Sequence, residues 1–88
     1  MALYMDIHRG VEGATPADMA DAHRADLDEQ WRYGVRFLGY WFATASSTLF
    51  CLVEGPDPET VRAVHRATHG LIADEIFEIE GPTERCIK

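Results

Sequence analysis

The sequence predicts an α+β sandwich in the order β-α-β-β-α-β: a four-stranded antiparallel sheet with both helices on one face. Three observations carry this. The chain opens on a segment that alternates strictly. Two threonine- or aspartate-proline helix openings, Thr15-Pro16 and Asp57-Pro58, stand a strand pair apart. Between them lie two runs rich in aromatic and β-branched residues, 35–44 and 48–54. Two split β-α-β units with right-handed crossovers then give the ferredoxin-like sandwich.

Residues 2–9 form the first strand, with Leu3, Met5 and Ile7 on one face and Tyr4, Asp6 and His8 on the other. The pattern alone leaves open which face meets the helices. Thr15 caps the first helix, Pro16 takes its first turn, and Asp18 and Asp21 favour the positive end of the dipole. The helix runs to about Tyr33, where Gly34 stops it. Residues 35–44 (VRFLGYWFAT) and 48–54 (TLFCLVE) make a hairpin around Ala45-Ser46-Ser47. In simple alternation, Phe37 and Trp41 of the first run oppose Leu38, Tyr40 and Phe42. Asp57-Pro58 opens the second helix, which ends at Thr68 or His69 before Gly70. A last strand lies within 72–80. Residues 1–80 thus read as one domain, and Gly81-Pro82 starts a C-terminal tail, 81–88.

Helices on one face leave the other uncovered. An apolar strand there is an interaction surface, so the expected assembly is a homodimer packed sheet to sheet, barrel-like. A chain of 88 residues buries only about 60–65% of its unfolded surface, and a partner subunit adds core. The formal charge of −7 repels phosphate backbones and anionic lipid, so neither nucleic acid nor membrane is expected as a partner. No basic segment leads into an apolar run, and no apolar stretch has bilayer length. Cys51 and Cys86 form neither a disulfide framework nor a metal knuckle. The expected location is cytoplasmic and reducing.

The histidines are the candidate functional residues. On the first helix Met19, His23, Leu27 and Gln30 share an arc, so His23 points toward the sheet. Asp26, three residues on, is placed to orient that ring, although the run Asp26-Leu27-Asp28-Glu29 otherwise reads as a solvated face. On the second helix Val61, Val64, His65 and Thr68 form the apolar arc, and His69 completes an i, i+4 pair with His65 toward the helix rim. That spacing permits two imidazoles on one metal ion. Asp6 and His8 share a strand face, and Glu75 opens the last strand close to His69. Plainer roles compete: His23 as a hydrogen-bonded core residue, His69 as a charge at the helix C-terminus, His8 as a strand end, and Cys51 as a small buried apolar side chain.

LYMDIHRG (3–10), AHRADLDEQ (22–30), YGVRFLGYWF (33–42), FCLVEGPD (50–57) and HRATHGLIADEI (65–76) together resemble a family of small bacterial ferredoxin-like proteins of which some are described as nickel-binding. AHRADL with HRATHGLIADEI is its specific part. The resemblance implies a homodimer that binds a divalent transition metal, nickel foremost with zinc or copper as alternatives, in sequestration or homeostasis. Carried over by motif, the metal-ligating residues are His8, His23, His65 and His69, with Asp6 and Glu75 as carboxylate partners. Neutral imidazole ligands must lose a proton, so affinity is expected to fall below about pH 6.5.

The alternative is a small enzyme or ligand-binding dimer. There His23 and His65 act as acid and base in a helix–sheet pocket, with Cys51 as a candidate nucleophile. A sensory module that contacts another protein is a third reading, to which no residue pattern speaks.

Overall fold

The computed structural model describes residues 2–11 and 13–80; the expectation for the tail concerns residues outside these. Strand β1 is Ala2–His8, helix α1 Pro16–Glu29, β2 Arg36–Ala43, β3 Thr48–Gly55, helix α2 Pro58–Thr68 and β4 Glu75–Ile79. Single 3₁₀ turns at Gln30–Arg32 and Thr44–Ser46 join α1 to β2 and β2 to β3. The strands lie in the order β2-β3-β1-β4, with every pairing antiparallel. This is the ferredoxin-like α+β fold.

Both helix starts follow their local chemistry. Asp18 N–H donates to Thr15 Oγ1 at 3.1 Å while Thr15 N–H donates to Asp18 Oδ2 at 2.9 Å, a reciprocal capping box. On α2, Thr60 N–H donates to the Asp57 carboxylate at 2.8 Å. Gly34 and Gly70 follow the helical segments at φ 68° and 77°, left-handed backbone that glycine enters without a Cβ penalty.

The register settles the phase of β1. Tyr4 pairs with Val53, Asp6 with Cys51 and His8 with Leu49, and all six are buried. This face receives the helices. Val61 and Val64 of α2 pack with Tyr4, Val35, Phe37 and Val53, while Met19 of α1 packs with Leu49 and Cys51. Val53, Val61 and Val64 have no exposed surface, and each contributes about 1.5–3 kcal/mol by burial.

Strand β2 departs from simple alternation. A bulge between Phe37 and Gly39 inserts Leu38, so Phe37 faces Val53 while Tyr40 and Phe42 face Cys51 and Leu49. One extra residue reverses the phase of everything after it. Phe37, Tyr40 and Phe42 therefore share the helix side, and Trp41 moves to the open side. The side chain of Gln30 supports the bulge by accepting the Phe37 N–H at 2.8 Å.

The open face carries Leu3, Met5 and Ile7 of β1, Phe50 and Leu52 of β3, Trp41 of β2 and Phe77 of β4. Trp41 and Phe77 are 53% and 48% exposed. Among the described residues, no helix is long and apolar enough to cross a membrane.

Candidate metal centre

Between the two apolar clusters lies a line of buried polar side chains: His8 and Asp6 from β1, His65 from α2 and Asp26 from α1. A buried ionic network is often no more stabilising than apolar side chains of equal volume, so stability alone is a weak account of this one.

The order of contacts is simple. Asp6 receives the Nε2 of His8 on one oxygen at 3.1 Å and the Nε2 of His65 on the other at 2.8 Å. The Nδ1 of His65, on the far side of the ring, lies 3.2 Å from the Asp26 carboxylate and 3.0 Å from Nε2 of His69. That His69 nitrogen is 3.1 Å from Asp26 Oδ2. Thr68 Oγ1 donates to Asp26 Oδ1 at 2.8 Å, and Leu71 N–H donates to Nδ1 of His69 at 3.0 Å. Among the described residues, Nδ1 of His8 is buried without a partner.

The electrostatics follow. Burial pulls the affinity of His65 for its proton down, but hydrogen bonds to Asp26 and Asp6 outweigh it and raise the pKa to about 9. Burial opposes ionisation of Asp6 and Asp26 as well. The imidazoles they bond nevertheless hold both below the usual carboxylate range, Asp26 far below. Cys51 is pushed strongly upward by burial and by Asp6, so it is a neutral thiol and a poor nucleophile.

Among the described residues, two groups of ligand-type atoms converge: Asp26, His65 and His69, and Asp6, His8, Cys51 and His65. They differ in kind. Asp6 is an acceptor surrounded by groups able to donate, and its contacts are satisfied as they stand, although His8 Nδ1 beside it has no partner among the described residues. The first group is not. Hydrogen bonds from His65 and His69 to Asp26 need a proton on each facing nitrogen, and the two nitrogens are then donors pointed at each other. A bond between the nitrogens needs one of them bare, and that one then meets a carboxylate oxygen. With Asp26 ionised, as its lowered pKa requires, no protonation state of the two rings satisfies all three edges of this triangle. A cation about equidistant from the three atoms, a little out of their plane, would satisfy all three. Metal–ligand bonds of about 2.0–2.1 Å place neighbouring ligands about 2.9 Å apart at right angles and about 3.3 Å apart at tetrahedral angles. The edges of 3.0, 3.1 and 3.2 Å lie between.

Residues 4–79 match the family described as nickel responsive protein SCO4226-like. The chain belongs to this family. It is similar to the crystal structure of SCO4226 from Streptomyces coelicolor A3(2), at 42% identity over 92% of this chain and 99% of that one, with a TM-score of 0.84. A search of curated proteins finds no match. The family description speaks of a response to nickel, which accords with a cluster of imidazoles and carboxylates.

Against the sequence expectations, the fold brings together Asp6, His8, His65 and His69 and separates two others. His23 belongs to neither group. Its half-buried ring lies against Tyr40 at 4.6 Å, with its pKa lowered by burial. Glu75 pairs with Ile7, on the open sheet face, and makes an ion pair with Arg9. His65, expected toward the rim, has no exposed surface, whereas His69 retains a little.

Asp26 is the member that sequence reasoning missed. It serves His65 and His69 of the other helix rather than orienting His23. The buried stripe of α1 is Met19, Ala22 and Asp26, which turns the helix by roughly 60° from the arc drawn through Leu27. The signal was available: Asp26 follows Ala22 by four residues and Met19 by seven. Hydrophobicity alone ranks Leu27 above it.

Proposed function

We propose that this protein binds a divalent transition metal of the nickel type through Asp26 Oδ2, His65 Nδ1 and His69 Nε2, as a homodimer joined through the open sheet faces, in metal sequestration or homeostasis. The observation that carries the reading is the triangle of Asp26, His65 and His69, whose three edges no arrangement of ring protons satisfies while Asp26 is ionised. The family's description as nickel responsive supports nickel over zinc or copper, all three of which imidazole accepts.

The surrounding residues suit the task. Asp6 accepts the Nε2–H of His65 and so leaves Nδ1 as the ligand atom, the carboxylate–histidine–metal arrangement that orients a ring and raises its basicity. His8 holds Asp6 from the other side. Thr68 occupies Oδ1 of Asp26 and directs Oδ2 inward. Asp6 and His8 thus support the centre from behind. A metal held there would compensate the charge of Asp26.

The test is calorimetric titration of tag-free, metal-free protein with nickel and with zinc, alongside Asp26→Asn and His69→Ala. Saturable binding that both substitutions weaken at least tenfold supports the reading. Absence of saturable binding at micromolar metal, or affinity unchanged in both variants, rejects it.

A further inference from the structure

We propose that metal uptake at this centre releases the loop that follows α2, because His69 cannot serve the metal and hold Leu71 at the same time. The inference rests on the metal reading above and adds what the protein does in response.

His69 uses both ring nitrogens. Nε2 faces Asp26 and His65, and Nδ1 accepts the backbone N–H of Leu71 at 3.0 Å. An acceptor at Nδ1 requires that the neutral ring carry its proton on Nε2. A metal ion bound at Nε2 takes that position. The ring then stays neutral only with its proton on Nδ1, where it meets the Leu71 N–H. Two donors face each other, and the bond from Leu71 is lost. Histidine ligands ordinarily donate through their second nitrogen; here that nitrogen accepts, so the metal-free arrangement is the one that must change. The proton balance is simple. His69 exchanges its Nε2 proton for one on Nδ1 and stays neutral. His65 gives up its Nδ1 proton, and one proton in total leaves for solvent.

The consequence falls on residues 71–73. The loop is pinned at its ends: Gly70 N–H donates to His65 O at 2.8 Å, and Asp74 N–H donates to Ile7 O at 2.8 Å. Arg9 N–H holds the Asp74 carboxylate at 2.6 Å. Between these anchors the Leu71 bond ties the middle of the segment to the site. Leu71 is half-buried against the cluster of Met19, Leu49 and Cys51, and Ile72 beside it is 39% exposed. Freed from His69, the segment presents Leu71 and Ile72 together at the surface next to the edge strand β4.

The experiment is NMR on the full chain titrated with zinc alone, which is diamagnetic. Nitrogen-15 shifts of the His65 and His69 rings report metal occupancy and tautomer. Hydrogen exchange at the Leu71 amide reports the loop. The expected result is saturating shifts at both rings, a change of His69 from the Nε2–H to the Nδ1–H form, and Leu71 exchange faster by about tenfold or more. Saturating ring shifts with Leu71 exchange unaltered overturn the loop release and leave the metal site standing. Saturating shifts with His69 still in the Nε2–H form remove His69 as a ligand and overturn both the release and the three-ligand site. No saturable ring shift removes both.

Discussion

Asp6 Oδ2 and His65 Nε2 lie 2.8 Å apart, and neither side chain has any exposed surface. A carboxylate so placed fixes the ring, stabilises its charged form, and leaves Nδ1 aimed at Asp26 and His69. Asp6→Asn keeps the size and removes the charge. The expected outcome is metal affinity reduced about 10–100-fold and stability lowered by about 3–5 kcal/mol, the usual cost of stranding one member of a buried pair. Calorimetry and urea unfolding of the same preparation measure the two. An Asp6→Asn protein of unchanged metal affinity would show that His65 does not depend on this carboxylate for its role.

The same pair sets a pH dependence of stability for the metal-free chain. His65 titrates at about 9 when folded against an ordinary 6.5, so its stabilisation is complete below 6.5 and disappears as pH rises through 9. Asp6 and Asp26 are displaced downward, so theirs is present above the ordinary carboxylate range and is lost in acid. His23, held below its ordinary value by burial, takes stability away in acid, so stability should peak near pH ~6 and decline toward 9 by about 3 kcal/mol, at about 1.4 kcal/mol per unit. Urea unfolding in chelator at pH 6, 7.5 and 9, at fixed protein concentration, measures it. A flat profile from 6 to 9 contradicts the charged state assigned to His65.

Metal and proton compete for His65 Nδ1. The histidine pattern alone suggests that affinity weakens only below about pH 6.5, but the two carboxylates move that limit up to about 9. Affinity should rise about tenfold per pH unit between 6.5 and 9, with about one proton released per metal ion at neutral pH. Titrations at pH 7.5 in two buffers of different ionisation enthalpy count that proton. Zero release is the result that contradicts it.

How far the sequence disclosed this molecule depends on the kind of signal. Caps such as Thr15-Pro16 and Asp57-Pro58 act locally, so their residues announce them, and the element order follows. The pairing of His65 with His69 was equally legible, because i, i+4 spacing on one helix fixes their proximity. Asp26 was harder to place. Its partners lie 39 and 43 residues away, and a carboxylate on a helix reads as solvated until a buried imidazole across the interface is known. The phase of β2 was hidden for a related reason: alternation is reversed by the bulge at Leu38, and the Gln30 side chain that supports it comes from another element. Glu75 is close to His69 in sequence, yet its strand phase turns it to the opposite side of the sheet.

The open sheet face supplies the last prediction. Trp41 and Phe77 stand about half exposed on it, and the Trp41 ring lies across the backbone of Gly39, where an added Cβ would come within 3.3 Å of the indole. Neither residue contributes to the helix-side core, so Trp41→Lys with Phe77→Lys should leave the subunit folded while placing charges in the proposed dimer contact. Sedimentation at micromolar protein should change from a dimer to a monomer, against a dimeric parent. Metal stoichiometry per chain should hold, because Asp26, His65 and His69 sit beneath the helices on the opposite side of the sheet. A parent chain that sediments as a monomer, or a double variant that remains a dimer, would remove this face from the assembly. A monomeric variant that no longer binds metal would instead show that the centre depends on the paired sheets for its geometry.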